Sequence, residues 1–546
     1  MMPLLREAES AAAKGRWVAL AVSYDAAPAF DDALTAHRSS DFPLVWAGFF
    51  DQPAPLSDAR PAGDGHAAFH FSDWAPAVGR ADYEASVSAI RSYIAAGDTY
   101  QVNYTFPMRS RLAGDAHAAF NALGISQRAE YSALLEIGDQ TVMSFSPELF
   151  FEWRGDRLTT RPMKGTTQRG RWLEEDDERG RMLAASAKDR AENVMIVDLL
   201  RNDIGKVAAV GTVEVPELFA VEKLGQVLQM TSTVTCRTRP EVTLVDIFRA
   251  LFPCGSVTGA PKVRSMEIIG ELEASARGIY TGAIGYLTPD GDAVFNVAIR
   301  TISAEKDGAS TFGVGGGITW GSTPAGEYEE CLLKAKFLTT PSPGFSLLET
   351  LVLRAGEYAL LDRHVARARS SAEYFGFVWK EDAVRDALDD IARAHGGGEW
   401  RVRFTSSPAG EVATQAEPLQ PLSLPRRVRF AGEPIDSRDP LWFHKTTARE
   451  RYDRALARCQ PCDDVIFWNE RGEITESTIA NIVVTVGGAH YTPPRSAGLL
   501  AGTLRDQMIE NGELSERAIT KEELASARSF ALINSVRGWQ DALLLD

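Results

Sequence analysis

The hexapeptide Thr339-Thr-Pro-Ser-Pro-Gly344 constrains this chain most. Two prolines and a glycine in so short a stretch break both a helix and a central strand. Patterned sequence flanks it on both sides. Residues 327–338 have helical spacing, and residues 345–353 read as a strand with a turn at Gly356. The sequence therefore predicts two domains, 1–338 and 345–546, joined by a linker at 339–344. With 546 residues in all, each half is long enough to bury a core without a disulfide or metal staple.

Composition narrows the class. Apolar residues make up 45% and charged residues 24%, as in globular proteins. No apolar run approaches the roughly 18 residues of a membrane span. Residues 1–14 carry Arg6, Glu7 and Glu9 and lack the apolar stretch of a signal peptide, so a cytoplasmic chain without membrane contact is expected. A net charge of −16 argues against nucleic-acid binding, although a local basic pocket can still take an anionic substrate. Five cysteines, odd in number and without zinc-like pairing, read as reduced thiols.

The first region mixes helices and strands irregularly, which predicts an α+β fold. Residues 87–96 have helical spacing and stop at Gly97, and residues 192–200 read as an apolar helix. Residues 279–287 and 293–302 read as strands joined through an Asp-Gly hairpin signal. Alternation in the second puts Phe295, Val297 and Ile299 on one face. Asn296, Ala298 and Arg300 share the other, so the arginine is expected to point away from the apolar side. No Gly-x-Gly-x-x-Gly follows a strand, which leaves a nucleotide fold without support.

Several stretches carry candidate chemistry, each with a plainer alternative. Residues 255–264 form a Gly-rich loop, with Thr258, that runs into a helix flanked by Lys262 and Arg264. Such a helix start can seat a carboxylate or phosphate, or be an ordinary corner, and the residues leave the two even. Gly315, Gly316 and Gly317 permit close backbone approach to a ligand, but alone they read better as a tight turn. Glu327, Glu330 and Lys334 share one helical face. The carboxylates suit Mg²⁺, but a solvated face with a Glu330–Lys334 pair is the commoner case. Glu192 is equally ambiguous. Lys164, between Met163 and Gly165, is either an exposed turn lysine or a buried nucleophile.

Taken in order, these stretches resemble the chorismate-utilising enzymes, the group of the large components of anthranilate synthase and aminodeoxychorismate synthase. The resemblance rests on GDTYQVNYT (97–105), SPELF (146–150), RPMKGT (161–166), KDRAENVMIVDLLRND (188–203) and FPCGSVTGAPKVRSMEII (252–269). YTGAIGY (280–286), FNVAIRT (295–301) and GVGGGIT (313–319), with the helix bearing Glu327, complete it. It implies an α+β sandwich around a chorismate pocket. It implies Mg²⁺ on Glu192 and Glu330 with Glu327 beside them, clamping the ring carboxylate. Arg300, Tyr280 and the backbone of Gly315, Gly316 and Gly317 would hold the enol-ether carboxylate, with Thr258 and Lys262 counted among the substrate contacts. In this family anthranilate synthases look like PIAGT at this turn and aminodeoxychorismate synthases often carry PIKGT. The PMKGT of this chain resembles the second, which implies that Lys164 would attack C2 of the ring and ammonia would enter at C4. No cysteine sits in a Gly-x-Cys-x-Gly elbow, so ammonia is expected from a separate glutaminase subunit.

The C-terminal region has its own ordered set: Arg367 in DRHVAR, Lys445 in HKTTAR, Glu476 in GEITESTIAN and Thr503 in LAGTLR. Each alone reads as a surface charge or a turn. Together they resemble the class IV pyridoxal-phosphate enzymes, the branched-chain and D-amino-acid aminotransferases and aminodeoxychorismate lyase. The resemblance implies an α+β domain with Lys445 as the Schiff-base lysine and Glu476 on the pyridinium nitrogen. Arg367, Thr503 and Ser535 would hold the phosphate, and a homodimer through this domain is left open. The two resemblances together imply synthesis of p-aminobenzoate, a folate precursor, from chorismate. The alternatives are an anthranilate synthase half fused to an aminotransferase, or a non-catalytic C-terminal scaffold.

Overall fold

A computed structural model describes the chain except at residues 39–41, 55–68, 128, 226, 340–343 and 546. Most of the expected linker therefore lies outside the described residues. The chain divides into two compact units. One comprises Met1–Arg169 and Arg179–Ser342, the other Gly170–Glu178 and Pro343–Asp546. The nine residues at 170–178, placed by the sequence in the first domain, pack instead with the second unit. Among the described residues no helix is long and apolar enough to cross a membrane.

The first unit is α+β, as expected, and its described strand pairs run antiparallel. One sheet carries Met163–Gln168, Val227–Arg237, Arg157–Arg161, Leu149–Arg154, Ala293–Val297, Ala283–Leu287, Trp17–Val22 and Val45–Phe50 in that order. In the other, Gln101–Gly114 pairs with Ala309–Ile318 along nearly its whole length. Ala21 and Ile284 of the first sheet share an apolar cluster with Val142 of the second, so the two sheets pack together. Helices Ala187–Gly205 and Leu244–Leu251 cover the first sheet through an aromatic core in which Phe248 stands edge-on to Phe151 and Phe295. Helix Arg80–Ala96 ends at Gly97 in the left-handed region (φ 84°), where a glycine adopts the turn at no steric cost.

The hairpin read at 279–302 is corrected. Its first strand starts only at Ala283, because Thr281 (φ 60°) makes a turn. Its second is two strands in different sheets: Ala293–Val297 pairs with Ala283–Leu287, and Thr301–Glu305 pairs with Gln140–Ser146. The chain crosses over at Arg300, whose φ is 49°. The face expected to be polar is also buried, because the sheet is covered on both sides. Asn296 there receives Ile284 N–H and donates to the Tyr131 carbonyl at 2.8 Å, stitching the sheets together.

The second unit has a four-stranded antiparallel sheet, led by Leu347–Arg354 and Glu399–Ser406, under helices Leu361–Phe375 and Glu381–Ala394. Its eight-stranded sheet is mixed: Arg426–Phe430 runs parallel to both Asp464–Trp468 and Gly538–Leu544. The apolar residues Val428, Ile466, Ile482 and Leu532 fill the core beside it.

Candidate active sites

In the first unit Lys164 sits in a β-bulge, where pairing of its strand with Val227–Arg237 slips between Met163 and Thr166. Gly165 holds φ 91°, and a Cβ there would meet the Asp189 Cβ at 2.9 Å, so only glycine makes this bulge. Gln229 Nε2 donates to the Gly165 carbonyl at 2.9 Å, and the Asn193 amide donates to the Lys164 carbonyl. Burial, then the Lys334 ammonium, push the Lys164 amine below its ordinary range, while Glu148, Glu192 and Glu330 oppose them. The lysine is therefore half-buried in a strand, not exposed in a turn.

The three glycines lie near the C-terminal end of strand Ala309–Ile318, not in a turn. A Cβ on Gly317 would lie 2.7 Å from both Lys164 Nζ and Gln101 Nε2, and one on Gly316 would lie 3.0 Å from Glu327 Oε2. The bare strand thus lets Lys164, Gln101 and Glu327 stand against backbone. The Tyr280 ring packs against Gly313 of the same strand. Arg300 is half-buried, donates to Gln127 Oε1 at 2.9 Å, and pairs with no carboxylate among the described residues. Burial lowers its pKa to about 10. A cation so placed fits an anionic ligand.

Two residues that the motifs contained but to which no role was given join this site. Glu148, within SPELF, is buried and its pKa is raised to about 7 by that burial, against a Ser256 hydrogen bond and the Lys164 charge. Its Oε1 and both polar atoms of the Gln101 amide have no hydrogen-bond partner among the described residues. Buried polar atoms left in this way are costly unless a ligand satisfies them.

The acidic face is mixed. Burial raises the pKa of Glu192 and of Glu327, and the Glu330 charge adds to both. Glu330 is instead lowered by Lys334, which it pairs at 2.9 Å, while Lys334 also donates to the Gly315 carbonyl. No set of three metal-ligating side chains converges among the described residues. Glu192, Glu327 and Glu330, the last kept ionised by Lys334, offer hard anionic oxygens that fit Mg²⁺, which usually takes one or two carboxylates from a protein. Lys262 does not join the pocket: its Nζ pairs with Asp203 at 2.9 Å and donates to the Leu251 carbonyl. Arg264 pairs with Asp98 and Glu267. Thr258 is fully buried and its hydroxyl is taken by the carbonyls of Cys254 and Gly255. The Gly-rich loop is thus a structural corner.

In the second unit Lys445 follows the short helix Pro440–Trp442, and its carbonyl accepts the Leu348 N–H at 2.9 Å. Burial and then Arg367 lower its amine to about 8. Glu476 is buried, and burial raises its carboxyl to about 7 while Tyr452 Oη donates to it at 2.8 Å and Leu500 N at 3.1 Å. Arg367 donates through Nε and Nη2 to Glu349 and through Nη1 to the Ala501 carbonyl. His364 gathers the remaining candidates: its Nε2 meets Ser535 Oγ at 2.9 Å and Thr503 Oγ1 at 3.2 Å, while Nδ1 meets Glu349 at 2.6 Å. Burial of this shared carboxylate is outweighed by its cations, and the Glu349 pKa falls to about 2. Glu349 and His364 were missed. One lies mid-strand and the other beside the DRHVAR arginines, and only the fold joins them. An amine, a buried carboxyl and a cation with two hydroxyls suit a pyridine ring that bears an aldehyde and a phosphate.

Comparison with known proteins follows this division. The family model for the chorismate binding enzyme matches residues 3–340, and that for amino-transferase class IV matches residues 346–543. An aminodeoxychorismate synthase component 1 of Salmonella typhimurium is 42% identical over 270 residues, covering 50% of this chain and 59% of that protein. An anthranilate synthase component 1 of Haloarcula marismortui is 41% identical over 259 residues, covering 47% and 53%. The match therefore spans little more than half the length of either relative. The solved anthranilate synthase component I of Streptococcus pneumoniae superposes with a TM-score of 0.51 at 26% identity, covering 59% of this chain and 80% of that one.

Proposed function

We propose, from the premise that this chain belongs to the chorismate binding enzyme family, that its first unit aminates chorismate at C4 and its second unit eliminates pyruvate from the product to leave p-aminobenzoate. The observation that carries the first half is Lys164, a half-buried amine with a lowered pKa, beside a protonatable Glu148. The Salmonella and Haloarcula relatives are about equally similar, so overall identity does not choose between the two chemistries.

Arg300 would take the enol-ether carboxylate, with Tyr280 and the glycine strand shaping its seat. Glu192 and Glu330 would hold Mg²⁺, with Glu327 beside them. The metal would neutralise the ring carboxylate. The neutral Lys164 amine forms a bond to C2 while the ring double bonds shift and the C4 hydroxyl leaves. Glu148, its carboxyl raised to about 7, gives that oxygen its proton, so water departs. Ammonia then bonds to C4, the double bonds shift back, the C2–N bond breaks to free Lys164, and the new ammonium returns a proton to Glu148. Ammonia would come from a separate glutaminase subunit.

In the second unit Lys445 would hold pyridoxal phosphate, with Glu476 on the ring nitrogen and Arg367, Thr503 and Ser535 around the phosphate. The cofactor would supply an electron sink for the carbanion of the elimination. With its amine lowered to about 8, Lys445 can take a proton from carbon and return it within one turnover.

Products from chorismate, ammonium and Mg²⁺ test the whole reading. With pyridoxal phosphate the chain should give p-aminobenzoate, and without it aminodeoxychorismate. Anthranilate as the product would overturn the first half. Accumulation of aminodeoxychorismate by the loaded wild-type chain would make the second half a scaffold.

A further inference from the structure

Residues Gly170–Glu178 follow the Lys164 strand in sequence but belong structurally to the second unit. Residues 170–172 form a bend that leads into the first turns of helix Leu173–Ala185, and together residues 170–178 make a strap on the second unit. Gly170 N donates to Asp176 Oδ1 at 2.9 Å, and Asp176 N to the Trp172 carbonyl. A Cβ on Gly170 would fall 2.2 Å from Asp176 N, so the turn admits only glycine. The Arg171 guanidinium grips Glu175 and reaches the Ser496 carbonyl. The Trp172 ring lies 4.9 Å from Phe443, with the guanidiniums of Arg171 and Arg495 at 4.8 and 4.7 Å from its centroid. Arg495 also pairs with Glu174 at 3.2 Å.

The strap directs two carbonyls at one place. That of Gly170 accepts Tyr374 Oη at 2.7 Å, and that of Arg171 meets His444 Nε2 at 3.1 Å. A carbonyl only accepts, so Nε2 carries a proton, and in the neutral ring Nδ1 is left to accept from Ser371 Oγ at 2.9 Å. Tyr374 in turn stacks on the imidazole at 4.4 Å. The ring thereby fixed belongs to the residue immediately before Lys445.

We propose that Gly170–Glu178 is a positioning element of the Lys445 site, setting the tautomer and plane of His444 and through them the direction of the lysine amine. This rests on reading Lys445 as the cofactor lysine. The charged and titratable groups that face that amine are Arg367, Glu349, Arg449, Glu476 and His364. With the strap released, the amine turns toward water and its proton affinity rises.

The test uses the full chain with Gly170→Ala, Trp172→Ala and the conservative Trp172→Phe. In the cofactor-free chain, hydrogen exchange across 170–178 and 442–447 is followed, and acetylation of Lys445 is mapped by mass spectrometry against pH. The two alanine variants should expose both segments and move the Lys445 midpoint upward by about one unit or more. Turnover of supplied aminodeoxychorismate should fall on the order of tenfold. Trp172→Phe should restore all three, and ammonia-dependent consumption of chorismate should stay within about twofold throughout. A Lys445 profile unchanged while the strap is exposed would overturn the proposal, as would a strap that stays protected in both alanine variants. Borohydride reduction of the loaded wild-type chain separates this from the underlying reading. If pyridoxal phosphate is trapped on another lysine, that reading fails whatever the strap does.

Discussion

Lys164 and Lys445 reach a similar state by different means. Both amines are pushed down first by burial. Around Lys164 the next influence is Lys334, opposed by Glu148, Glu192 and Glu330, and the amine rises from a bulge pinned by Gln229 and Asn193. Around Lys445 the next is Arg367, itself clamped by Glu349, and the amine stands on a loop whose backbone bonds the strand at Leu348. The first is surrounded by orphaned buried polar atoms, which suits a site that takes up and releases its ligand. The second lies among groups already bonded to each other. A lowered lysine pKa therefore does not by itself specify a job.

The largest effects should come from removing the amines. Lys164→Ala should cut chorismate amination on the order of 10³-fold or more and leave the elimination from supplied aminodeoxychorismate intact. Lys445→Ala should do the reverse, so aminodeoxychorismate accumulates, and chromatography of products resolves both cases. A single substitution that silences both reactions in a folded chain would break the comparison. Glu148→Gln should slow amination by about 10²–10⁴-fold, because an amide cannot give the departing oxygen its proton. The limb of the pH–rate profile set by Glu148 should disappear with it. A smaller effect belongs to Glu330→Gln, which should raise the Mg²⁺ concentration for half-maximal rate by at least about tenfold, read from a metal titration of the initial rate.

The smallest effect concerns stability. Glu476 has its pKa raised from 4.5 to about 7, so between those values the folded state keeps a proton that the unfolded state has lost. Stability of the cofactor-free second unit should therefore fall as pH rises through this window, by on the order of 1–3 kcal/mol. Glu476→Gln should flatten that slope in denaturant titrations at pH 5 and pH 8.

The ordered motifs revealed both units and most of the candidate residues, because those residues lie in short strings whose types their chemistry restricts. What stayed hidden depends on contacts between strings. Gln101 and Glu148 were in view as letters, yet only burial with unpartnered polar atoms, the Gln101 amide and Glu148 Oε1, marks them as candidates. Lys262 looked available until the fold brought Asp203 to it. The alternation at 293–302 suggested one strand, but a residue's exposure depends on what covers the sheet, and here both faces are covered. Glu349 and His364 escaped because a strand glutamate and a helix histidine carry no signal until they meet.

The strap has a consequence for how this fusion can be taken apart. A cut between residues 339 and 344 looks natural, yet it leaves nine residues of the second unit on the wrong fragment. Two genes made by such a cut would each encode an intact sheet framework, but the downstream product would lack the turn that meets His444. If the segment positions His444, working halves need 170–178 restored to the second piece, which also means dividing helix Leu173–Ala185.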